Sequence, residues 1–211
     1  MSLAVVKLGG SSATSTSLRD WLAAAERCTQ PLMLVPGGGP FADRVRDLQQ
    51  TLRFSDEAAH AMALLAMEQF GHVLIDRAAR LQPARTIGEI RAALFAGKIP
   101  VWFPSSMVLA TSAIPASWEV TSDSLAAWLA AELDASALLL VKQTDDFAAG
   151  DTSETLATNG IVDPAFPSFL SPRMAFHVAG PRHLGQAAGM FGKALLPGER
   201  IAGRHDIREA G

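Results

Sequence analysis

Two glycine-rich turns, each directly behind a short apolar run, hold the residues best suited to chemistry. The first stretch reads Val5-Val6-Lys7-Leu8-Gly9-Gly10-Ser11-Ser12, and the second Leu34-Val35-Pro36-Gly37-Gly38-Gly39-Pro40. Glycines let backbone N–H groups converge on an anion with no Cβ in the way, and a helix starting just beyond adds the positive end of its dipole. Lys7 lies inside the first apolar run, with only Leu8 between it and Gly9-Gly10. An ammonium there is costly unless an anion meets it, although a lysine at a strand end can also simply reach solvent. Gly9, Gly10, Ser11, Gly37, Gly38 and Gly39 therefore predict a cradle for two anionic or phosphorylated groups held face to face. Lys7 would neutralise the group passing between them, which is the arrangement phosphoryl transfer requires.

Further candidates lie in the second half of the chain. Lys142, Thr144 and Asp145 follow the apolar run Ala137–Val141 and suit a nucleotide or metal contact, or equally a solvated loop. Asp123 sits at a helix start, where a carboxylate is favoured by the dipole and can act as nothing more than a cap. Other signatures fail. Gly37-Gly38-Gly39-Pro40-Phe41-Ala42 has the G-x-G-x-x-A spacing, but no strand and ribose-binding acid follow it. Neither Gly97-Lys98 nor Gly192-Lys193 completes a P-loop, and no G-x-S-x-G elbow marks a serine nucleophile. The five histidines lack metal-ligand spacing, so no metal ligands are expected among them.

These residues need elements to place them. Leu3–Leu8, Leu32–Val35, Ile99–Phe103 and Ala137–Val141 read as buried strands, Met174–Val178 and Glu199–Ile201 as later ones. Helices are expected from Ser17 to about Arg27, after Pro40, from Ser55 to about Leu81 and over Ile87–Phe95. Two more are expected after a Thr121 or Ser122 cap and over Arg182–Met190. Pro83 is read as ending the long third helix, Pro104–Ser117 as a loop and Asp146–Ser171 as an irregular excursion. Strands alternating with helices imply a mostly parallel sheet covered on both faces, with ligands collecting beyond the carboxyl ends of the strands. Lys7–Ser12, Gly37–Gly39 and Lys142–Asp145 all fall at such ends.

Composition sets the outer bounds. The 211 residues are 49% hydrophobic and 18% charged with a formal net charge of −3, which describes a packed globular chain without a basic face for nucleic acid. A single cysteine, Cys28, precludes an internal disulfide framework and fits a cytoplasmic setting. The apolar stretch Leu125–Val141 contains Glu132 and Asp134 and does not suit a bilayer, so no membrane partner is expected. No internal repeat or linker divides the chain. The long helix from Ser55 is apolar on more than one face, which predicts a homodimer or higher homo-oligomer.

In order, these segments resemble the amino acid kinase superfamily. The stretch from Val5 to Ser11 is similar to its opening strand and phosphate loop, and that from Leu34 to Asp43 to its second glycine loop. Val120-Thr121-Ser122-Asp123-Ser124 resembles the segment bearing an organising aspartate, Leu140–Asp145 the strand end beside the nucleotide, and Val178–Leu184 a shared strand–glycine–helix element. The resemblance implies a three-layer α/β sandwich, an open, mainly parallel sheet of about eight strands with helices on both faces. It implies one domain over 1–211, with an acceptor-binding half at 1–118 and a shortened nucleotide-binding half at 119–211. ATP and Mg2+ are implied as cofactors, with an anionic small molecule as acceptor. By carry-over Lys7 stabilises the transferring group, Asp123 orients lysine, and Thr144 and Asp145 lie against the nucleotide.

The chain departs from the family pattern where a second phosphate-contacting lysine is usual, between Asp151 and Arg173, and Lys142 is the candidate to supply that charge. Within the family the chain most resembles small members that phosphorylate a furanmethanol phosphate. The alternative reading is a non-catalytic nucleotide- or oxoanion-binding or storage protein on the same fold.

Overall fold

The computed structural model describes residues 2–202. Ala4–Leu8 (β1) and Leu32–Pro36 (β2) form the centre of a sheet together with Ala137–Val141 (β5), and all three are buried almost throughout, as their continuous apolar sequences require. Between and around them run the helices Leu18–Glu26 (α1), Gly39–Leu52 (α2), Asp56–Asp76 (α3), Ile87–Phe95 (α4), Ser105–Val108 (α5) and Ser122–Glu132 (α6). Strands Leu81–Ala84 (β3) and Ile99–Trp102 (β4) extend one side of the sheet. On the other side come Ser153–Thr158 (α7), Phe166–Phe169 (α8), Ala175–Ala179 (β6), Leu184–Phe191 (α9) and Glu199–Ile201 (β7).

The described residues form a seven-stranded sheet in the order β3-β4-β2-β1-β5-β6-β7, one strand fewer than the sequence reading implied. Every neighbouring pair is parallel except β6–β7, which is antiparallel. Strand alternation divides the core into two layers. Val5, Met33, Val35, Leu138 and Leu140 face a layer containing Leu125 and Leu129 of α6. Val6, Leu34, Leu139 and Val141 face Trp21 and Leu22 of α1, Phe70 and Leu74 of α3, and Phe191 of α9.

That alternation also aims the lysines. In β1, odd-numbered residues point toward α6, and Lys7 pairs in register with Leu140 of β5. Lys142 lies two residues beyond Leu140, so its side chain leaves the backbone on the same face. Both ammonium groups are thus directed at the start of α6, where Asp123 sits.

Several local expectations change. The long third helix stops at Asp76, and Leu81–Ala84 is an edge strand containing Pro83. An outer edge tolerates a proline because the missing N–H faces no partner strand, so the residue read as a helix stop belongs to the sheet. The 104–117 loop contains α5, and the 146–171 excursion contains α7 and α8, helices too short for periodicity to reveal. Ser55 does cap α3, its hydroxyl accepting from Ala58 N at 3.3 Å. Ser17 occupies the α1 cap position but turns to Ser15 instead. α3 is long and apolar enough to cross a membrane by length and composition. Here it packs between α2 and the sheet, burying Leu64, Met67, Phe70 and Leu74.

Candidate active site

Asp123 lies between two lysines. Lys7 Nζ is 2.8 Å from its Oδ1 and Lys142 Nζ 2.6 Å from its Oδ2, and all three side chains are largely buried. Burial alone would push the Asp123 carboxyl up. The ammonium groups of Lys142 and then Lys7 outweigh it and hold the carboxyl down to about 2. Burial pushes the Lys142 ammonium down from its ordinary 10.5, and Asp123 only partly restores it. With both lysines charged, two cations share one anion and the cluster keeps one surplus positive charge. The Asp163 carboxylate offsets part of that charge from further off, raising Lys142 alongside Asp123.

Asp123 is free for this task because another residue caps its helix. Asp163 reaches in from the connection between α7 and α8. Its Oδ2 accepts from Thr121 N at 3.0 Å, Thr121 Oγ1 at 2.8 Å and Ser124 N at 3.0 Å, while its Oδ1 accepts from the Ser124 hydroxyl. Thr121 N and Ser124 N are thereby satisfied at the helix end where a carboxylate is most stabilising. Thr121 holds the cap position without making the cap bond itself. The sequence reading missed Asp163, which lies in the segment taken as irregular, forty residues from the helix it serves.

The two glycine loops interlock beside the lysines. A Cβ on Gly10 would lie 2.0 Å from Gly39 N, and one on Gly37 2.3 Å from Gly10 N, so no side chain fits at either position. Gly39 has φ +54°, which favours glycine. A Cβ on Gly9 would stand 3.8 Å from Lys7 Nζ, which places the ammonium at the mouth of the loops. Gly37 N donates to Leu8 O at 2.8 Å, tying the second loop to the end of β1. Gly38 is the cap residue of α2, so the N–H groups of that helix start at the cradle. Ser11 is exposed on the 3-10 turn Gly10–Thr14, and Ser12, buried in the same turn, accepts from Gln143 Nε2 at 2.9 Å. This Ser12–Gln143 tie joins the first loop to the segment carrying Lys142. Sequence alone offered no sign of it.

Thr144 and Asp145 lie beyond this cluster. Thr144 Oγ1 accepts from Asp146 N at 3.1 Å. The Asp145 carboxylate accepts from Arg182 N at 3.2 and 3.3 Å, at the turn into α9, and Arg182 also donates to Phe147 O at 3.0 Å and Glu199 Oε1 at 3.3 Å.

On the opposite flank a pocket opens between α2, α3 and the 117–121 segment. Gly38 and Thr121 border it on the side of the lysine cluster, Leu64, Met67 and Leu125 form apolar wall, and Asp56, His60 and Trp118 complete it. Trp118 is fixed in place: its Nε1 donates to Gln49 Oε1 at 2.6 Å and the Arg46 guanidinium stacks 4.3 Å from its ring centre. Gly38 was singled out from sequence as a cradle residue and Thr121 as a helix cap, but Asp56, His60 and Trp118 were not, since each belongs to an ordinary amphipathic or loop pattern.

Taken together the parts are a buried lysine–aspartate cluster with two cations to one anion, two interlocked glycine loops and an adjoining, largely apolar pocket. Known proteins resemble this chain in sequence and in fold. One curated relative, [5-(aminomethyl)furan-3-yl]methyl phosphate kinase of Methanocaldococcus jannaschii, is 27% identical over 191 residues, covering 85% of this chain and 88% of its own. The crystal structure of uridylate kinase from Archaeoglobus fulgidus superposes with a TM-score of 0.70 at 14% identity, covering 96% of this chain and all of its own. UMP kinase from Bacillus anthracis gives 0.67 at 14% identity and 96% coverage of each chain. Residues 2–155, which include both glycine loops and all three members of the lysine–aspartate cluster, match the Amino acid kinase family, and the chain belongs to that family.

Proposed function

We propose that this protein transfers the γ-phosphoryl group of ATP to a phosphate oxygen of a small furanmethyl phosphate, yielding the diphosphate and ADP. One observation carries the reading: the buried Lys7–Asp123–Lys142 cluster, with its surplus positive charge, opens onto two interlocked glycine loops. The relative from Methanocaldococcus jannaschii supports the acceptor class by its name. The 1–118 half, with the pocket beside α3, would take the acceptor, and the 119–211 half the nucleotide, near Thr144 and Asp145.

In this mechanism the acceptor oxygen attacks the γ-phosphorus in line as the bond to the ADP oxygen breaks. No covalent bond to the protein forms. Lys7 and Lys142 stand where charge accumulates on the transferring oxygens, and Asp123 holds both ammonium groups in position. Backbone N–H groups of Gly10 and Gly38 would orient the phosphates, whereas the Gly9 N–H, expected from the family resemblance to join them, donates instead to Val141 O at 3.2 Å. The loops and lysines fit a polyphosphate, because the Lys7 ammonium stands at the mouth of the interlocked glycines, where α2 begins. Among the described residues no group of three or more His, Cys, Asp or Glu side chains is arranged to hold a metal ion. Mg2+ would therefore bind mainly through the nucleotide's phosphates, where it neutralises charge.

The exposed face of α3 carries Met62 and Leu65, which supports a homodimer or higher homo-oligomer of a cytoplasmic enzyme. The deciding experiment measures ADP release with Mg-ATP across carboxylate, carbamate and phosphomonoester acceptors, in the wild type and Lys7→Ala. Turnover that depends on a furanmethyl phosphate and drops about 10³-fold or more in the variant is the expected outcome. Tight ATP binding with no acceptor-dependent turnover would replace the kinase reading with a binding or storage role.

A further inference from the structure

The capping of α6 involves more than the helix needs. Thr121 already occupies the cap position, where a threonine hydroxyl can accept from the N–H three residues on, here Ser124 N. Its Oγ1 donates instead to Asp163, and the Asp163 carboxylate takes over Thr121 N and Ser124 N. Asp163 is only 7% exposed. A buried charge is costly, and a helix with a threonine in place does not call for one. Capping leaves the charge of Asp163 unexplained.

The surroundings of Asp123 supply the reason. Asp163 holds Thr121 and Ser124, which lie on either side of Asp123 along the chain. Ala165 N adds a bond to Glu119 O at 3.2 Å, so the connection between α7 and α8 grips the start of α6 by side chain and by backbone. That connection is itself anchored: Val162 and Phe166 are buried in the core, and Phe166 N donates to Asp163 O at 3.1 Å. Asp123 thus projects from a backbone fixed on both sides, and its two oxygens meet Lys7 at 2.8 Å and Lys142 at 2.6 Å. The charged groups acting on Lys142 are Asp123, Lys7 and Asp163. Two buried ammonium groups sharing one carboxylate tend to lose a proton before any phosphate arrives. A second carboxylate opposes that loss, and Asp163 acts in this direction.

We infer that Asp163 is a positioning residue for phosphoryl transfer: it fixes the start of α6 so that Asp123 clasps both lysines, and it supplies the second anion of the resting site. The inference rests on the kinase reading of the site and deepens it. Among the described residues the side-chain bonds of Asp163 all run to Thr121 and Ser124. It therefore acts through α6 and across space, and takes no part in making or breaking the bonds to phosphorus.

The test uses Asp163→Asn, which keeps an acceptor oxygen for α6 and removes the charge. Lys7, Lys98, Lys142 and Lys193 are the lysines of the chain, so isotope-labelled lysine can be followed by NMR, with Lys142 assigned through Lys142→Arg. We expect Lys142 to titrate about half a pH unit or more lower in Asp163→Asn, because the field of a buried carboxylate is only partly screened. With Mg-ATP and a furanmethyl phosphate, kcat at neutral pH should fall about 10-fold while KM for both substrates stays within about two-fold. The alkaline limb of the kcat profile should move down with Lys142. If either the Lys142 titration or kcat keeps its wild-type value, whatever the melting temperature does, Asp163 is a helix cap only and the inference is overturned. If the wild type turns over no acceptor, the kinase reading fails, and the NMR titration still decides whether Asp163 serves the lysines. Should Asp163→Asn not fold, Asp163→Glu carries the same measurement. The charge is then displaced by one methylene, the Lys142 titration is expected to move from its wild-type value, and an unmoved one would overturn the inference.

Discussion

Two charged clusters stand beyond the carboxyl ends of the central strands, and they differ in balance and burial. Lys7, Asp123 and Lys142 are buried with one cation in excess. Asp145, Arg182 and Glu199 form the second, and each of these side chains is a third or more exposed. There Arg182 meets both carboxylates, and buried His183 adds contacts to Asp145 at 4.0 Å and Glu199 at 3.5 Å. Solvent screens the second cluster, and its bonds run largely to backbone, at Arg182 N and Phe147 O. It ties the end of β5 to the turn before α9. The first cluster has surplus charge in a place of low dielectric, where an incoming anion is attracted strongly and water competes weakly. Under the proposed function, similar residue types would serve chemistry in one place and architecture in the other, according to burial and charge balance.

The contrast is tested most severely at Asp123. Asp123→Ala would leave two buried ammonium groups facing each other, and we expect about 3–5 kcal/mol of stability to disappear together with turnover, read by urea denaturation and ADP release. A variant as stable as the wild type would show that the cluster is not an electrostatic unit. Lys142→Ala should leave Asp123 paired with Lys7 and the protein folded, while kcat falls by roughly 100-fold. Unchanged turnover would remove Lys142 from the site.

Titration sharpens the same comparison. Burial holds the Lys142 ammonium below its ordinary 10.5, so the alkaline limb of the turnover profile should fall before that pH, and Lys142→Arg should move it upward. In acid, the Asp123 carboxyl is lowered from 3.8 to about 2 in the folded protein. Its contribution to stability is complete above the unfolded value and is lost as pH falls through the folded one. Asp123→Asn should lack that component of the pH–stability curve between the two values. The smallest effect is expected at the exposed cluster: Arg182→Ala should cost about 1 kcal/mol and leave kcat within a few-fold. A large loss of kcat there would erase the distinction between the two clusters.

Much of the site was legible because it is local. Lys7 in an apolar run, the paired glycine turns and the strand–helix alternation are patterns within a few residues, and the structure places them together at the expected strand ends. The edge strand with Pro83 was not legible, since a four-residue element carries too little periodicity to outweigh a proline. Asp123 was ambiguous for a physical reason: a carboxylate at a helix start reads the same whether it caps the helix or serves a lysine.

Residue types and their spacing by themselves determined the α/β alternation, the cradle and the side of the sheet toward which Lys7 and Lys142 project, because strand parity and glycine geometry act over short range. Only the tertiary structure decided the rest. It brought Asp163 across forty residues to cap α6 and release Asp123, tied Ser12 to Gln143, and set Asp56 and Trp118 around one pocket through Gln49. Each of these depends on side chains distant in sequence meeting in space, and on the burial that makes their charges matter.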